Sequence, residues 1–398
     1  MRKLAVLLAA VPVLAFAQQQ PPIAVYWVSA ETAAGMSMPG MPAMGAGMMG
    51  QRGQSGRNLL LQLGSRQAAS GEPRADHDIP PGMNMGPTLP LVTPRREPAA
   101  RAERGTPGSM EKPRGRMLIY WGCGENVRAG QPVVIDFAGV TEGKSPPNMV
   151  TRQVAHPQGP AFGRSRTYGD WPNREEPRAV PADASLRGDH VVKGNYSPEI
   201  RFSLDKDFLD RVELSASGTR VRWNAIPNAT GYFATLYGAQ NQDEIVFWSS
   251  SEVQEMGSAL MDYLPPAEVA RLIRERVVME PRTVECTVPR EVAAKAGTPM
   301  FSFIAYGEEA NFAHPPRPRD PRAPWAPFWT AKVRFKSTAS LMLGESAGQG
   351  RRRARQETQQ QEQQQQQPQP APQAKPEPDP VKEGIREGVD LLRGIFGR

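Results

Sequence analysis

The stretch Thr219–Leu236, TRVRWNAIPNATGYFATL, constrains the fold more than any other part of the chain. Val221, Trp223 and Ala225 alternate with Arg220, Arg222 and Asn224, the period of two that sends successive side chains to opposite faces of a strand. Pro227-Asn228 supplies the turn: proline fixes φ, and asparagine tolerates left-handed backbone. Tyr232–Tyr237 then reads as the next strand, with Trp223 and Tyr232 among the residues of one packed face. Alternating strands about short turns predict a β-sandwich.

The same period returns downstream. Phe301, Phe303 and Ala305 share a face, as do Ala331, Val333 and Phe335, and Val284, Cys286 and Val288. Arg211–Ala216 pairs with Thr219–Ala225 around Ser217-Gly218, and Ile245–Trp248 adds a further strand. One helix is expected between the strands. Pro265-Pro266 opens it, Glu268 suits its first turn, and Val269, Ile273 and Val277 share a side.

The N-terminal half is less sharply written. Ile23–Val28, Arg57–Gly64, Thr88–Val92 and Tyr196–Leu204 read as strands, and Arg116–Trp121 pairs with Gln131–Phe137. Thr141–Asn195 is rich in Pro and Arg and predicts no element. With 41 prolines and 37 glycines in 398 residues, compact β cores joined by long irregular segments are expected. The fold class is therefore mainly β, in this order: a signal peptide over 1–17, a β-rich region over 18–204 and a sandwich over 207–338. A Gln/Pro-rich disordered linker over 344–380 and a short amphipathic helix over 381–398 follow.

Trp in the second strand and NATGY opening the third give a W…P-x-A-x-G-Y pattern over about 207–338. This region resembles a fibronectin type III or related immunoglobulin-like domain, and is longer than that family by the helix near 266–278. The resemblance implies a spacer or binding module and carries no activity.

Arg2 and Lys3 precede the apolar run Leu4–Leu14, and Ala15-Phe16-Ala17 offers a cleavage site before Gln18. That pattern predicts an exported protein, periplasmic or secreted, since the run is too short to span a bilayer. The net charge of +7 is concentrated around Arg95–Arg116 and Arg351–Arg355, where solvated basic linkers are expected and no specific nucleic-acid recognition.

Candidate chemistry is sparse. Met36, Met38, Met41, Met44, Met48 and Met49 lie in the Met/Gly-rich segment 35–56, and thioethers are soft ligands suited to Cu(I). Adaptable apolar contact is the plainer reading of the same residues. Gly344–Gly348 spells G-x-S-x-G, but no His lies beyond His314 to complete a hydrolase site around Ser346. Gly45–Gly50 matches G-x-G-x-x-G without a framing strand and helix. Asp76-His77-Asp78 offers possible ion ligands, although the four histidines show no site spacing and a solvated loop is the simpler reading. Cys123 and Cys286 are the two cysteines: a bridge between them would staple the first region to the sandwich, and a buried free thiol at Cys286 is the alternative. In the terminal helix Val381, Ile385, Val389, Leu392 and Phe396 form an apolar stripe, while mixed charges favour docking to an envelope protein over a membrane surface. The expected function is a non-catalytic envelope interaction or scaffold module without a cofactor, its partner held by the terminal helix or the sandwich. Copper binding through the Met tract is the second reading, and an unrecognised hydrolase the third.

Overall fold

The computed structural model describes residues 21–34, 56–94, 115–141, 152–241, 243–320 and 323–343. The protein is mainly β. Sixteen strands are described: β1 (Ala24–Ala34), β2 (Gly56–Ser65), β3 (Ala75–Asp78), β4 (Thr88–Leu91), β5 (Arg116–Trp121), β6 (Val133–Asp136), β7 (Thr167–Trp171) and β8 (Gly188–Gly194) in the first half. The second half carries β9 (Ser197–Leu204), β10 (Ser215–Ser217), β11 (Arg220–Arg222), β12 (Ala229–Asn241), β13 (Glu244–Ser249), β14 (Glu285–Thr287), β15 (Met300–His314) and β16 (Trp329–Met342). Three helices accompany them, α1 (Phe137–Thr141), α2 (Pro266–Arg274) and α3 (Arg290–Ala296).

One nine-stranded sheet organises the molecule, in the order β6-β5-β13-β12-β15-β16-β1-β2-β7. It crosses the sequence freely. β1 lies parallel to β16 along its whole length, from Ala24 opposite Trp329 to Ala34 opposite Ala339, and β5 lies parallel to β13. Four strands of the 207–338 region, β12, β13, β15 and β16, therefore share a continuous sheet with strands of the N-terminal region.

Two smaller sheets, β4-β3-β8-β9 and β10-β11-β14, contribute to the same hydrophobic cluster as one face of the large sheet. Alternation explains why. Tyr26, Val28 and Ala30, then Phe301, Phe303 and Ala305, then Ala331, Val333 and Phe335 all turn to that inner face. They meet Leu89, Val192 and Ile200 from the four-stranded sheet, Val221 and Cys286 from the three-stranded one, and Val288 just past β14. The outer face is covered in patches. Phe233, Ile304 and Tyr306 are buried with Val269 and Leu272 of α2, and Met117, Ile119 and Phe247 form a separate cluster. β12 and β13 are buried on both faces, which is why they read as nearly continuous apolar runs.

The opening stretch divides between two layers. β11 ends at Arg222, Trp223 stays buried in the following segment, and Ala225 is exposed with Ile226 buried in its place. Asn228, at φ 62°, takes the left-handed turn position. β12 then enters the large sheet. Trp223 packs edge-on to Tyr232 at 5.9 Å and on Phe303 at 4.6 Å, so this corner is an aromatic junction between layers. Gly231 of NATGY is needed for close approach: a Cβ there would lie 2.9 Å from both Val269 and Val278.

Several expectations are revised. Thr141–Asn195 contains β7 and β8, concealed because TYGDW and GDHVVKG carry Gly, Asp and His where apolar alternation was sought. Val284 is 45 % exposed because β14 begins only at Glu285. Helix α2 ends at Arg274, its buried apolar positions are Val269 and Leu272, and Val277 is buried beyond the helix. The expected signal peptide, linker and terminal helix fall on residues outside the described ones.

Candidate functional site

Two polar constellations sit on opposite faces of β1. The first is sealed. Within β3, alternation turns Ala75 and His77 inward and leaves Asp76 exposed, while Asp78 bonds to Lys193 at 2.7 Å. The triplet therefore cannot act as one ion site, and no group of three His, Cys, Asp or Glu arranged to hold a metal occurs among the described residues. His77 instead meets His190 of β8. Tyr26 Oη lies 2.9 Å from His77 Nδ1, His77 Nε2 lies 3.0 Å from His190 Nδ1, and His190 Nε2 lies 2.7 Å from the Leu186 carbonyl.

The end of this chain sets its direction. A carbonyl only accepts, so His190 carries its proton on Nε2 and accepts at Nδ1 from the His77 Nε2–H. His77 Nδ1 then accepts from the Tyr26 hydroxyl. Phe202 stacks on His190 at 4.8 Å and Phe312 on Phe202 at 4.8 Å, closing the row. Burial, followed by the neighbouring His190, holds His77 well below the usual histidine range. Burial also lowers His190, opposed by the Leu186 hydrogen bond and the Asp189 charge, and raises Tyr26 well above the usual phenol range. All three groups are neutral near pH 7. With both imidazoles at 1 % exposure, the row joins β1 to the facing sheet and is closed to any substrate.

The second constellation faces outward. Lys332, Arg334 and Lys336 alternate with the buried Ala331, Val333 and Phe335 of β16, and in register lie opposite Trp27, Ser29 and Glu31 of β1. Arg334 is centred between two rings, 4.7 Å from Trp27 and 4.3 Å from Tyr263. Lys332 lies 5.5 Å from Trp27, and Lys336 lies 4.3 Å from Tyr263. The result is an interleaved ladder, Lys332–Trp27–Arg334–Tyr263–Lys336.

Carboxylates neutralise the two lysines. Glu309 pairs with Lys332 at 2.7 Å, while Glu31 and Asp262 lie 3.8 and 3.5 Å from Lys336. Lys336 is 2 % exposed, so these partners matter far more than in a surface pair. Gly159 presses against the Trp27 ring, where a Cβ would lie 2.6 Å from Cε3. Its segment is anchored in turn: the buried Glu255 accepts the Arg152 N–H at 2.8 Å, and Glu268 accepts the Ala155 N–H at 3.1 Å. Burial raises the Glu255 carboxyl despite the hydrogen bonds it accepts, whereas the Arg271 hydrogen bond lowers Glu268.

The structure joins Cys123 and Cys286 in a disulfide, with Cα atoms 5.4 Å apart. Gly124 N–H donates to the Thr287 carbonyl at 2.8 Å beside it, so the segment after β5 lies along β14. Met36, Met38, Met41, Met44, Met48 and Met49 lie outside the described residues, as do Ser346 and Val381, Ile385, Val389, Leu392 and Phe396. Both constellations escaped sequence reasoning. His77 shares its strand parity with Ala75 and Ile79, and His190 with Val192, a local sign that both point inward. The outer ladder is half visible as Lys, Arg and Lys between apolar residues, but its rings come from Trp27 and Tyr263, far away in sequence.

No protein-family model, curated protein or solved structure matches this chain.

Proposed function

We propose that this chain is an exported, non-catalytic cell-envelope protein whose disulfide-stapled β framework serves as an interaction or scaffold module. The observation that carries the reading is the Cys123–Cys286 bridge. It spans 163 residues of sequence and ties the segment after β5 to β14, a linkage that belongs in an oxidising compartment. The strand order adds support for a fibronectin type III-like core. β10-β11-β14 stands over β13-β12-β15-β16, with the Trp223–Tyr232 contact between the layers. Domains of that kind act through their surfaces. The surface with most to offer is the outer ladder, where Arg334 of β16 lies between Trp27 of β1 and Tyr263 of the segment before α2, residue types enriched at binding hot spots.

The test is fractionation of cells producing the full chain, followed by thiol labelling without reductant. The protein is expected in the envelope or secreted fraction with both cysteines protected. A cytoplasmic pool with two labelled thiols overturns the export reading. For the interaction face, a photo-crosslinking residue at Leu60, which is 37 % exposed on the outer side of β2, is expected to capture a protein. The same residue at Val134, 40 % exposed on the far edge strand β6, is the control and is expected to capture none.

A further inference from the structure

We infer that Arg334 is a carboxylate receptor, its terminal guanidinium nitrogens binding a ligand carboxylate in the plane left open between Trp27 and Tyr263. This rests on reading the outer ladder as an interaction face, and it names the chemistry that face recognises.

Three observations lead there. First, Arg334 alone among the three ladder cations has no carboxylate of the described residues at ion-pair distance: Lys332 has Glu309, and Lys336 has Glu31 and Asp262. Glu309 is in register with Arg334 across β15 and β16, yet it is engaged with Lys332. Second, only one edge of the guanidinium is used inside the protein, by the Nε–H bond to Ser29 Oγ at 2.7 Å. Among the described residues the terminal nitrogens find no hydrogen-bond partner, and they are not among the fully buried polar atoms without one, so they are not sealed from solvent. Third, two aromatic rings hold the group in place, which removes most of the ordering cost that a long side chain pays on binding. Burial pushes the Arg334 guanidinium below its usual range, opposed by the nearby Tyr263, Asp262 and Glu309.

The geometry selects the ligand. Rings lie over the guanidinium, so recognition is left to its plane and its N–H donors, which match the two oxygens of a carboxylate in a fork. The local charge points the same way. Lys332, Arg334 and Lys336 face Glu31, Glu309 and Asp262, three against three, so the site has no second free cation among the described residues for a dianionic phosphate and favours a monoanionic carboxylate. Leu60 lies opposite Ser29, the residue Arg334 bonds, and is exposed two strand spacings away, about 10 Å. An apolar group beside the carboxylate has a seat there.

The test follows the Arg334 Nε–Hε resonance of the full chain labelled with 15N-arginine, during titration with isovalerate, a monoanion, with a capped peptide holding one aspartate and one leucine, and with inorganic phosphate at matched ionic strength. A saturable shift with isovalerate or the peptide is expected, and the tighter of the two identifies a free or a peptide-borne carboxylate as the source. Arg334→Lys keeps the charge and loses the fork, and is expected to bind at least ten-fold more weakly. Should that variant not fold, Ser29→Ala leaves the guanidinium and both rings in place and assigns the resonance. No saturable shift, or tighter binding of phosphate, overturns the proposal. If the Leu60 crosslink persists without an Arg334 shift, the carboxylate assignment alone falls; if the crosslink is also lost, the interaction face falls with it.

Discussion

The two small sheets cover the same face of the large one, yet they are held to it by opposite means. Under β10-β11-β14 the contact is apolar and covalent: Trp223 lies against Phe303 and Tyr232, Val288 is fully buried, and Cys286 is bonded to Cys123. Under β4-β3-β8-β9 the junction runs through the hydrogen-bonded row of Tyr26, His77 and His190. A disulfide constrains the unfolded chain whatever the pH. A row of buried imidazoles holds only while both rings are neutral and every polar atom is paired. One junction is sensitive to reductant, the other to acid.

The largest way to break this comparison is to remove the bridge. A Cys123→Ala/Cys286→Ala double variant is expected to lose about 5 kcal/mol of unfolding free energy, the chain-entropy value for a loop of this length. Chemical denaturation in parallel with the reduced wild type checks it. A loss below about 1 kcal/mol would show that apolar packing alone secures this junction. Trp223→Ala comes next, at about 3–5 kcal/mol, because it empties a packed aromatic site and removes the indole N–H bond to the Thr283 carbonyl at 2.8 Å.

Acid should strike the other junction. The folded-state pKa values of His77 and His190 are depressed, so the unfolded chain binds protons first as pH falls. The contribution is therefore complete above about pH 6.5, the unfolded histidine value, and is lost as pH falls below it toward the folded values. The loss approaches about 1.4 kcal/mol per pH unit for each histidine. Denaturation midpoints at pH 7, 6 and 5 should decline, and the decline should flatten in a His77→Phe variant; equal slopes would remove the relay from the explanation. The smallest effect is that of Tyr26→Phe, at about 1–3 kcal/mol, because the buried His77 Nδ1 loses its donor while the ring packing is kept. A thermal melt at pH 7.5 measures this without histidine titration.

How far the residues foretold this depends on the range of the interaction. Phe301, Phe303 and Ala305 declared their face through alternation alone and are buried, as are Ala331, Val333 and Phe335. β7 and β8 were hidden, because strands carrying Gly, Asp and His take their order from β2 and β3, their neighbours in the sheets. The candidate site was less legible still. Lys332, Arg334 and Lys336 read as solvated charges on a strand, and nothing near them announces the rings of Trp27 and Tyr263.

The stretch TRVRWNAIPNATGYFATL on its own determined a strand, a turn and a second strand, because period-two alternation and the left-handed Asn228 are local properties of the chain. It did not determine that its two strands enter different sheets, nor that β1 would lie parallel to β16 at the far end of the sequence. That was decided by packing. Pairing strands this distant is repaid only when whole faces bury together, and the same burial brought His77 to His190, Cys123 to Cys286, and two rings to Arg334.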